Sequence, residues 1–444
     1  MPVRPLPTKH RVASIKELAK FQNLEQAWVK VRASALHSES AEIRGEAQEF
    51  SSNATSRLKS LQSRLSRGSF VFPPARGVLI RKAGSTKKRP IVVAPIESRV
   101  VQRAILELVQ ESPKVYSELT AGFNFGGVPG RGFGVPGAIA KAVKCAQSGG
   151  FFVRTDIKGF FTQIPRTRVV EDLCESIDGD EAFLAYFKSA VLTEIRDIHQ
   201  YGTDAQLFPI YDTGVAQGSS LSPLLCNYLL RDFDREFNSR GITCVRYIDD
   251  FIMFGREKTR TQKAFQRAIS QLEALGLSAY NPFDSADSRK AEAGDASKGF
   301  DFLGCHILPN RVRPTAEKVE SLKTKIKSVF SECLKSTRTP GLAINSPDFS
   351  HTYAGATLLA SQIVRAWGNT YSFCNDDQLM NSIDIELGKL FNKFQTAFVA
   401  RTAALNEPDR RRARGFYCLI DCNKNDEAES ARTIARSAVL RKPS

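Results

Sequence analysis

No apolar run in this chain approaches the roughly 18 residues that a membrane-spanning helix needs, so no span is expected. The opening segment MPVRPLPTKHR carries charge with no apolar stretch behind it, which argues against a secretory signal. The nine cysteines contain no Cys-x-x-Cys pair; Cys418 and Cys422 are the closest two, and no histidine lies near them. A zinc site is therefore not expected, and single reduced cysteines in a cytoplasmic protein fit better. The five histidines are isolated and suggest no catalytic constellation. Internal repeats and low-complexity tracts are missing as well.

What is present is positive charge. The net charge is +16 and the pI about 9.5 over 444 residues. An excess of that size points first to a polyanionic partner, with nucleic acid at the head of the list. With 42% hydrophobic and 25% charged residues, the chain is ordinary globular material. Its length suggests about two to four packed units.

Helical spacing runs through residues 14–66 (Ile15, Leu18, Phe21, Leu24, then Leu58, Leu61, Leu65) and predicts two or three helices. Val78-Leu79-Ile80 and Ile91-Val92-Val93 flank a charged tip, Arg81–Arg89, and read as a hairpin. A helix follows from about Glu97 to Gln110. Residues 122–137 are glycine-rich, and a helix is expected at about 138–147. Phe151-Phe152-Val153 is a strand running into Asp156. Residues 166–192 read as helical, 214–223 as a polar loop and 222–237 as helical. Val245–Tyr247 and Phe251–Phe254 form a hairpin around Asp249-Asp250. Helix is expected again at 259–275, a strand pair or turn at Gly299–Ile307, and helices from Thr315 to about Ala404 with a break near Thr337–Ser350.

Adjacent aspartates at a tight turn between apolar strands repel each other, and a divalent cation removes that cost. Alone, such a pair is more often a solvated turn than a metal site. Asp156 changes the weighing, because neighbouring antiparallel strands would bring it against the 249–250 turn. An oxygen-rich carboxylate set suits Mg²⁺, which keeps waters and takes phosphates as ligands.

Tyr247-Ile248-Asp249-Asp250 resembles the YxDD signature of reverse transcriptases. Asp156-Ile157-Lys158-Gly159-Phe160-Phe161 resembles their preceding metal-binding motif. Gln217-Gly218-Ser219-Ser220-Leu221-Ser222-Pro223 resembles the QGxxxSP loop, Phe302-Leu303-Gly304 the primer-grip turn, and Lys87-Lys88-Arg89-Pro90-Ile91 the KxRPI fingers segment. Five motifs in this order are far more specific than any one of them.

The resemblance implies roles. Asp156, Asp249 and Asp250 would be the catalytic, metal-binding carboxylates, with the carbonyl of Ile157 as an added ligand, for two Mg²⁺ ions or substituting Mn²⁺. Arg89 with Lys87 would hold the incoming triphosphate, since a guanidinium fork suits phosphate oxygens. Gln217 and Gly218 would pack beside the nucleotide. Phe161 would clash with a ribose 2′-hydroxyl and favour dNTPs; the alternative is a simple core residue like Phe160. Tyr247 and the primer-grip residues would touch nucleic acid. Asn281-Pro282 lacks the lysine that often follows it in the family, which leaves the general acid unassigned between Lys290 and Lys298.

Other signals are weaker. Gly132–Gly137 matches GxGxxG, yet no apolar strand precedes it and Pro136 sits inside it. The stretch from Gly122 to Arg131 resembles instead the GFxPGR loop of group II intron and related bacterial enzymes, where Arg131 would touch template or brace the loop. Lys323 and Lys327 lie on a helix that would track a duplex backbone, or simply form a solvated face. The Arg410–Arg414 run has the same two readings.

The implied fold class is α+β, a right-hand polymerase with an antiparallel palm sheet, fingers and a helical thumb. The expected divisions are an N-terminal helical extension (1–75), fingers (76–150), palm with a fingers insertion (151–307), and thumb plus basic tail (308–444). The implied activity is RNA-directed DNA polymerase, with RNA template, DNA product and dNTPs as partners. The helical ends resemble defence-associated "unknown group" and abortive-infection enzymes, several of which use a dedicated noncoding RNA and some of which assemble as oligomers. Rival readings are an RNA-binding maturase or scaffold, and template-independent or protein-primed synthesis.

Overall fold

The computed structural model describes residues 12–38, 40–81, 88–130, 132–210, 212–239, 241–284, 290–345 and 350–419. Lys87, Arg131, Cys422 and the first eleven residues lie outside this set. The chain divides into two compact units, Met1–Leu303 and Gly304–Ser444.

The first unit opens with α1 (Ile15–Leu18), α2 (Phe21–Leu36), α3 (Ala41–Ser52) and α4 (Ala54–Ser66). That is more than the two or three helices expected. Ser14 and Ser40 each cap a new start, accepting from the amides of Glu17 and Ile43, and Asn53 breaks the helical path between α3 and α4. Leu24, Ala27, Trp28 and Val31 form the buried stripe of α2, with the Phe50 ring tilted against Trp28 at 4.4 Å between centroids.

The basic hairpin follows as β1 (Arg76–Arg81) and β2 (Lys88–Val93), paired antiparallel. Next come α5 (Ile96–Glu111), α6 (Pro113–Thr120), the two-residue β3 (Phe123–Asn124) and α7 (Gly134–Gln147). α7 starts inside the segment expected to be loop. β4 (Phe151–Asp156) leads into α8 (Phe160–Gln163), α9 (Arg166–Cys174) and α10 (Glu181–Val191). The helical run expected over 166–192 is broken because Asp180 caps a new helix, accepting from the Phe183 amide at 2.7 Å. A 3-10 stretch at Ile198–Leu207, kinked at Gly202, was not anticipated. α11 (Ser222–Leu229) and α12 (Arg231–Glu236) divide at Leu230; β5 (Ile242–Tyr247), β6 (Asp250–Gly255), α13 (Lys258–Ala274), β7 (Glu292–Asp295) and β8 (Phe300–Phe302) complete the unit.

The central sheet has the order β3-β5-β6-β4-β7. Its four longer strands are antiparallel, and β3 adds a short parallel edge to an otherwise antiparallel palm. Both faces are covered, which explains the nearly continuous apolar runs. Phe251 packs against Phe233 and Phe265 on one face; Phe152 and Phe254 meet Phe300 on the other. The register places Asp250 opposite both Asp156 and Tyr247.

The second unit carries the hairpin β9 (Cys305–Leu308) and β10 (Arg311–Pro314), then α14 (Ala316–Ser336), α15 (Pro340–Ile344), α16 (Tyr353–Thr370), α17 (Asp377–Thr402) and α18 (Glu407–Arg414). α15 lies inside the expected break, and α18 holds the arginine run. Val319, Leu322, Ile326 and Phe330 recur at helical spacing on α14 and enter one core, where Phe330 stacks on Phe394 at 4.2 Å. Among the described residues no helix is long and apolar enough to cross a membrane.

Phe251 is fully buried between two aromatic neighbours. Its exchange for alanine should cost about 3–5 kcal/mol through the cavity left behind. Urea unfolding monitored by circular dichroism measures this; a loss under 1 kcal/mol would contradict the packing described.

Candidate active site

The β5–β6 turn is the least comfortable backbone in the sheet. Ile248 adopts φ 58°, a left-handed conformation that a β-branched residue rarely takes. Two features compensate. The Ile248 carbonyl accepts from Arg246 Nη1 at 2.8 Å. Gly126 lies so close that a Cβ there would stand 2.8 Å from Ile248 Cγ1 and its amide nitrogen. The glycine-rich stretch thus lets backbone approach the turn; with Arg131 outside the described residues, its expected contact has no structural account.

The turn carries Asp249 and Asp250, and β4 delivers Asp156 beside them. The Ile157 amide donates to the Asp249 carbonyl at 3.0 Å, which ties the two strand ends together. The three carboxylates are half-buried and crowded. Burial first, and then the charge of Asp156, push the Asp249 carboxyl up to about 6. Burial, Asp156 and Asp249 push Asp250 up to about 7, against the pull of Arg154 and Lys290. Among the described residues no group of three or more His, Cys, Asp and Glu side chains is placed to hold a metal ion by itself. Mg²⁺ needs fewer protein ligands than that: it binds through one or two carboxylates and completes its shell with water and phosphate. Asp156, Asp249 and Asp250 offer an all-oxygen, mutually repelling donor set of the kind that such an ion takes.

The surroundings assemble the other expected positions. Arg89 lies exposed on β2 and is near enough to draw Asp249 downward, while its neighbour Lys88 is paired with Asp204. Val92 of β2 donates to the Gln217 carbonyl at 2.8 Å. Gly218 has φ 112°, and a Cβ there would meet the Val92 carbonyl at 2.9 Å, so the loop needs glycine twice over. The Val215 amide donates to the Phe161 carbonyl at 2.7 Å, bringing Phe161 beside the same loop. Phe160 is fully buried, whereas Phe161 is half-buried at the margin of the core. Tyr247 is half-buried opposite Asp250.

Lys290 donates to Asp156 Oδ2 at 3.4 Å and stands 5.0 Å from the Tyr280 ring, with Lys158 on the same ring at 4.7 Å. Lys298 instead lies beside Asp295. In the primer-grip segment Phe302 is buried, and Leu303 and Gly304 both have positive φ (49° and 78°); the division between the two units falls between them. In the second unit Lys323 is held by Glu320 and Glu386, and Lys327 lies 3.7 Å from Glu320. These two lysines of α14 are thus paired by Glu320 of the same helix and Glu386 of α17.

Sequence reasoning missed Arg154, Arg246, Asp234 and Asn227. Arg154 was legible, since strand alternation puts residues 154 and 156 on one face. Arg246 is fully buried, and its fork meets Asp234 through Nε at 2.7 Å and through Nη2. Its Nη1 also reaches Asn227 Oδ1 at 3.0 Å. Nothing in the linear sequence pairs these residues.

The crowding has a measurable consequence. A carboxyl whose folded-state pKa lies above its unfolded value holds its proton more tightly when folded. Stability is then full below pH 4 and is lost as pH rises toward 7. Without divalent metal, Asp250→Asn should therefore stabilise the protein by roughly 1–3 kcal/mol at pH 8, allowing for partial solvent screening, and by nearly nothing at pH 4. Mg²⁺ should shrink the difference by stabilising only the parent. Melting curves in chelator across this pH range test it; equal stability at pH 8 would rule it out.

Residues 80–307, just over half of the chain, match the family described as reverse transcriptase (RNA-dependent DNA polymerase). A curated Schizosaccharomyces pombe relative, "Uncharacterized 91 kDa protein in cob intron", is 30% identical over 179 residues, 39% of this chain and 20% of that one. "Protein YkfC" of Escherichia coli K12 is 28% identical over 295 residues, 58% of this chain and 72% of that one. The chain thus spans a fifth of the first relative's length and nearly three quarters of the second's. A telomerase structure from Candida albicans aligns with 84% of this chain and 67% of its own at 11% identity and a TM-score of 0.40. With the five motifs in place within the matched segment, this chain belongs to the reverse transcriptase family.

Proposed function

We propose that the protein is an RNA-directed DNA polymerase acting by two-metal-ion nucleotidyl transfer. The observation that carries this reading is the convergence of Asp156, Asp249 and Asp250 at two adjoining strand ends, with Asp249 and Asp250 held above the usual carboxylate range by burial and by their neighbours' charge. Asp156, Asp249 and Asp250, with the Ile157 carbonyl, would hold two Mg²⁺ ions, which when bound would supply activation of the primer hydroxyl and offset charge on the leaving oxygen. Mn²⁺ is the natural substitute.

The chain's own residues do the rest. Arg89, with Lys87, grips the triphosphate of the incoming dNTP. Gln217 and Gly218 form the wall against which the nucleotide lies. Phe161 fills the space a ribose 2′-hydroxyl would need. Lys290, drawn to Asp156, is the nearer of the two candidate proton donors for the departing pyrophosphate. The Phe302–Gly304 turn and Tyr247 contact the primer strand. Arg131, Lys323 and Lys327 are further contacts to template or duplex; the last two would first have to leave their glutamates.

The partners in this reading are an RNA template, the DNA product and dNTPs, in the cytoplasm, with self-assembly into an oligomer. We further infer a role in antiphage defence with a dedicated noncoding RNA. The helical segments on both sides of the matched region support the defence role, and the +16 charge suits the RNA partner. A maturase or scaffold role is the second reading, favoured by the relative named for a cob intron.

Primer extension on RNA with dNTPs and Mg²⁺ tests the activity. The parent should extend; Asp249→Ala with Asp250→Ala should fall by at least about 10³-fold, as loss of a principal electrostatic group does. Extension surviving that change, or no extension by the parent, rejects the reading. Phe161→Ala should raise ribonucleotide incorporation at least tenfold relative to dNTPs, and unchanged sugar selectivity would return Phe161 to the core. Cells carrying the double aspartate change should lose phage protection if synthesis is the defence.

A further inference from the structure

Arg246 is an unusual residue to find fully buried in a palm strand. A guanidinium taken out of water costs several kcal/mol, and a well-packed apolar pair often replaces such an ion pair without loss of stability. What an apolar pair cannot do is hold a carbonyl at a fixed point. Arg246 has four polar contacts and they diverge. Nε and Nη2 fork onto Asp234 of α12, while Nη1 reaches both Asn227 of α11 and the Ile248 carbonyl.

Asn227 extends the connection. Its Nδ2 donates to the Gly126 carbonyl at 2.6 Å, and the Gly126 amide in turn donates to Asn124 Oδ1 at 3.2 Å. The Arg246 carbonyl accepts from Phe125 at 2.9 Å. α11 begins at Ser222, where the Gln217 loop ends. One side chain therefore meets the helix behind the nucleotide loop, the following helix and the catalytic turn, and Asn227 links it to the glycine-rich stretch. The residue it holds, Ile248, is the one in a left-handed conformation immediately before the aspartates.

We infer that Arg246 is a positioning residue: with Asp234 and Asn227 it holds Ile248 in its left-handed conformation and so sets where the Asp249 and Asp250 carboxylates point. This rests on the polymerase reading for its kinetic effect, but not for its effect on metal binding. Arg246 touches no substrate; it acts through the turn. The apolar contact of Gly126 with Ile248 is the second arm of the same clamp.

The test separates holding the turn from holding the fold. The double exchange Arg246→Met with Asp234→Leu removes the buried charges together and leaves neither orphaned. It should melt within a few degrees of the parent. Per active enzyme, counted by titration with primer–template, its extension rate should fall tenfold or more. Half-saturating Mg²⁺ should rise several-fold, and dNTP KM should stay within twofold. A parental rate and parental Mg²⁺ demand in the folded double variant overturn the inference.

Should that variant fail to fold, Asn227→Ala carries the same expectation at smaller size, and parental behaviour there overturns it equally. The Mg²⁺ concentration needed to raise the melting temperature provides a readout without catalysis. It should increase several-fold in either variant, and an unchanged requirement counts against the inference. A parent that binds Mg²⁺ but never extends a primer would reject the polymerase reading alone.

Discussion

The catalytic turn of the larger unit depends on one buried ion pair. Arg246 and Asp234 lie where the palm sheet meets the helices behind it, in a place an all-apolar core would fill more simply. Their presence makes sense once the turn above them is considered. Two carboxylates must stand side by side at a hairpin end, and the residue before them must leave the ordinary β path to allow it. Such a conformation persists only where its surroundings over-determine it. The guanidinium supplies a hydrogen bond from below, and Gly126 supplies close contact from the side.

Around that point the packing follows elementary rules. β4 and β6 place Phe152, Ile252 and Phe254 on one covered face and Val153, Phe251 and Met253 on the other, so their apolar runs are nearly unbroken. Helices start where Ser14, Ser40 and Asp180 accept from backbone amides. Positive charge is distributed unevenly. Lys323 and Lys335 in the second unit are paired with glutamates, whereas Lys290 and Arg154, the latter also 3.8 Å from Glu292, act on the aspartate cluster. For those two cations, the field is spent inside the protein at the site that needs it.

Much of this was legible in the sequence. The hairpin 76–93, the strand ending at Asp156 and the Asp249-Asp250 turn all carry strong local patterns, and the family motifs fall on them. The errors were of boundary and continuity: helices split at capping residues that periodicity alone does not weigh, and α7 starting within a glycine-rich stretch. The parallel β3 edge depends on a partner far along the chain, which no local pattern can reveal. The same holds for the Arg246 network. An arginine inside an apolar strand looks like a misplaced charge until Asp234 and Asn227 are brought to it by folding. On α14 the pairing of Lys323 and Lys327 with Glu320 follows from helical spacing, whereas that of Lys323 with Glu386 of α17 needs the fold.

The hydrogen bond from Val92 to Gln217 has a mechanical meaning. β2 runs from the charged end at Lys88-Arg89 to Val93, so Arg89 stands about 10 Å from Val92 along an extended strand. A two-stranded ribbon of that length behaves as a lever, with its fulcrum where Gly218 lets the loop lie flat against the Val92 carbonyl. An anion that drew Arg89 toward the aspartates would load the fulcrum bond, and through Val215 the pull would reach the backbone of Phe161. In the proposed reading, grip on the phosphates and fit around the sugar would then be joined through these two backbone bonds, and tightening the first would tighten the second.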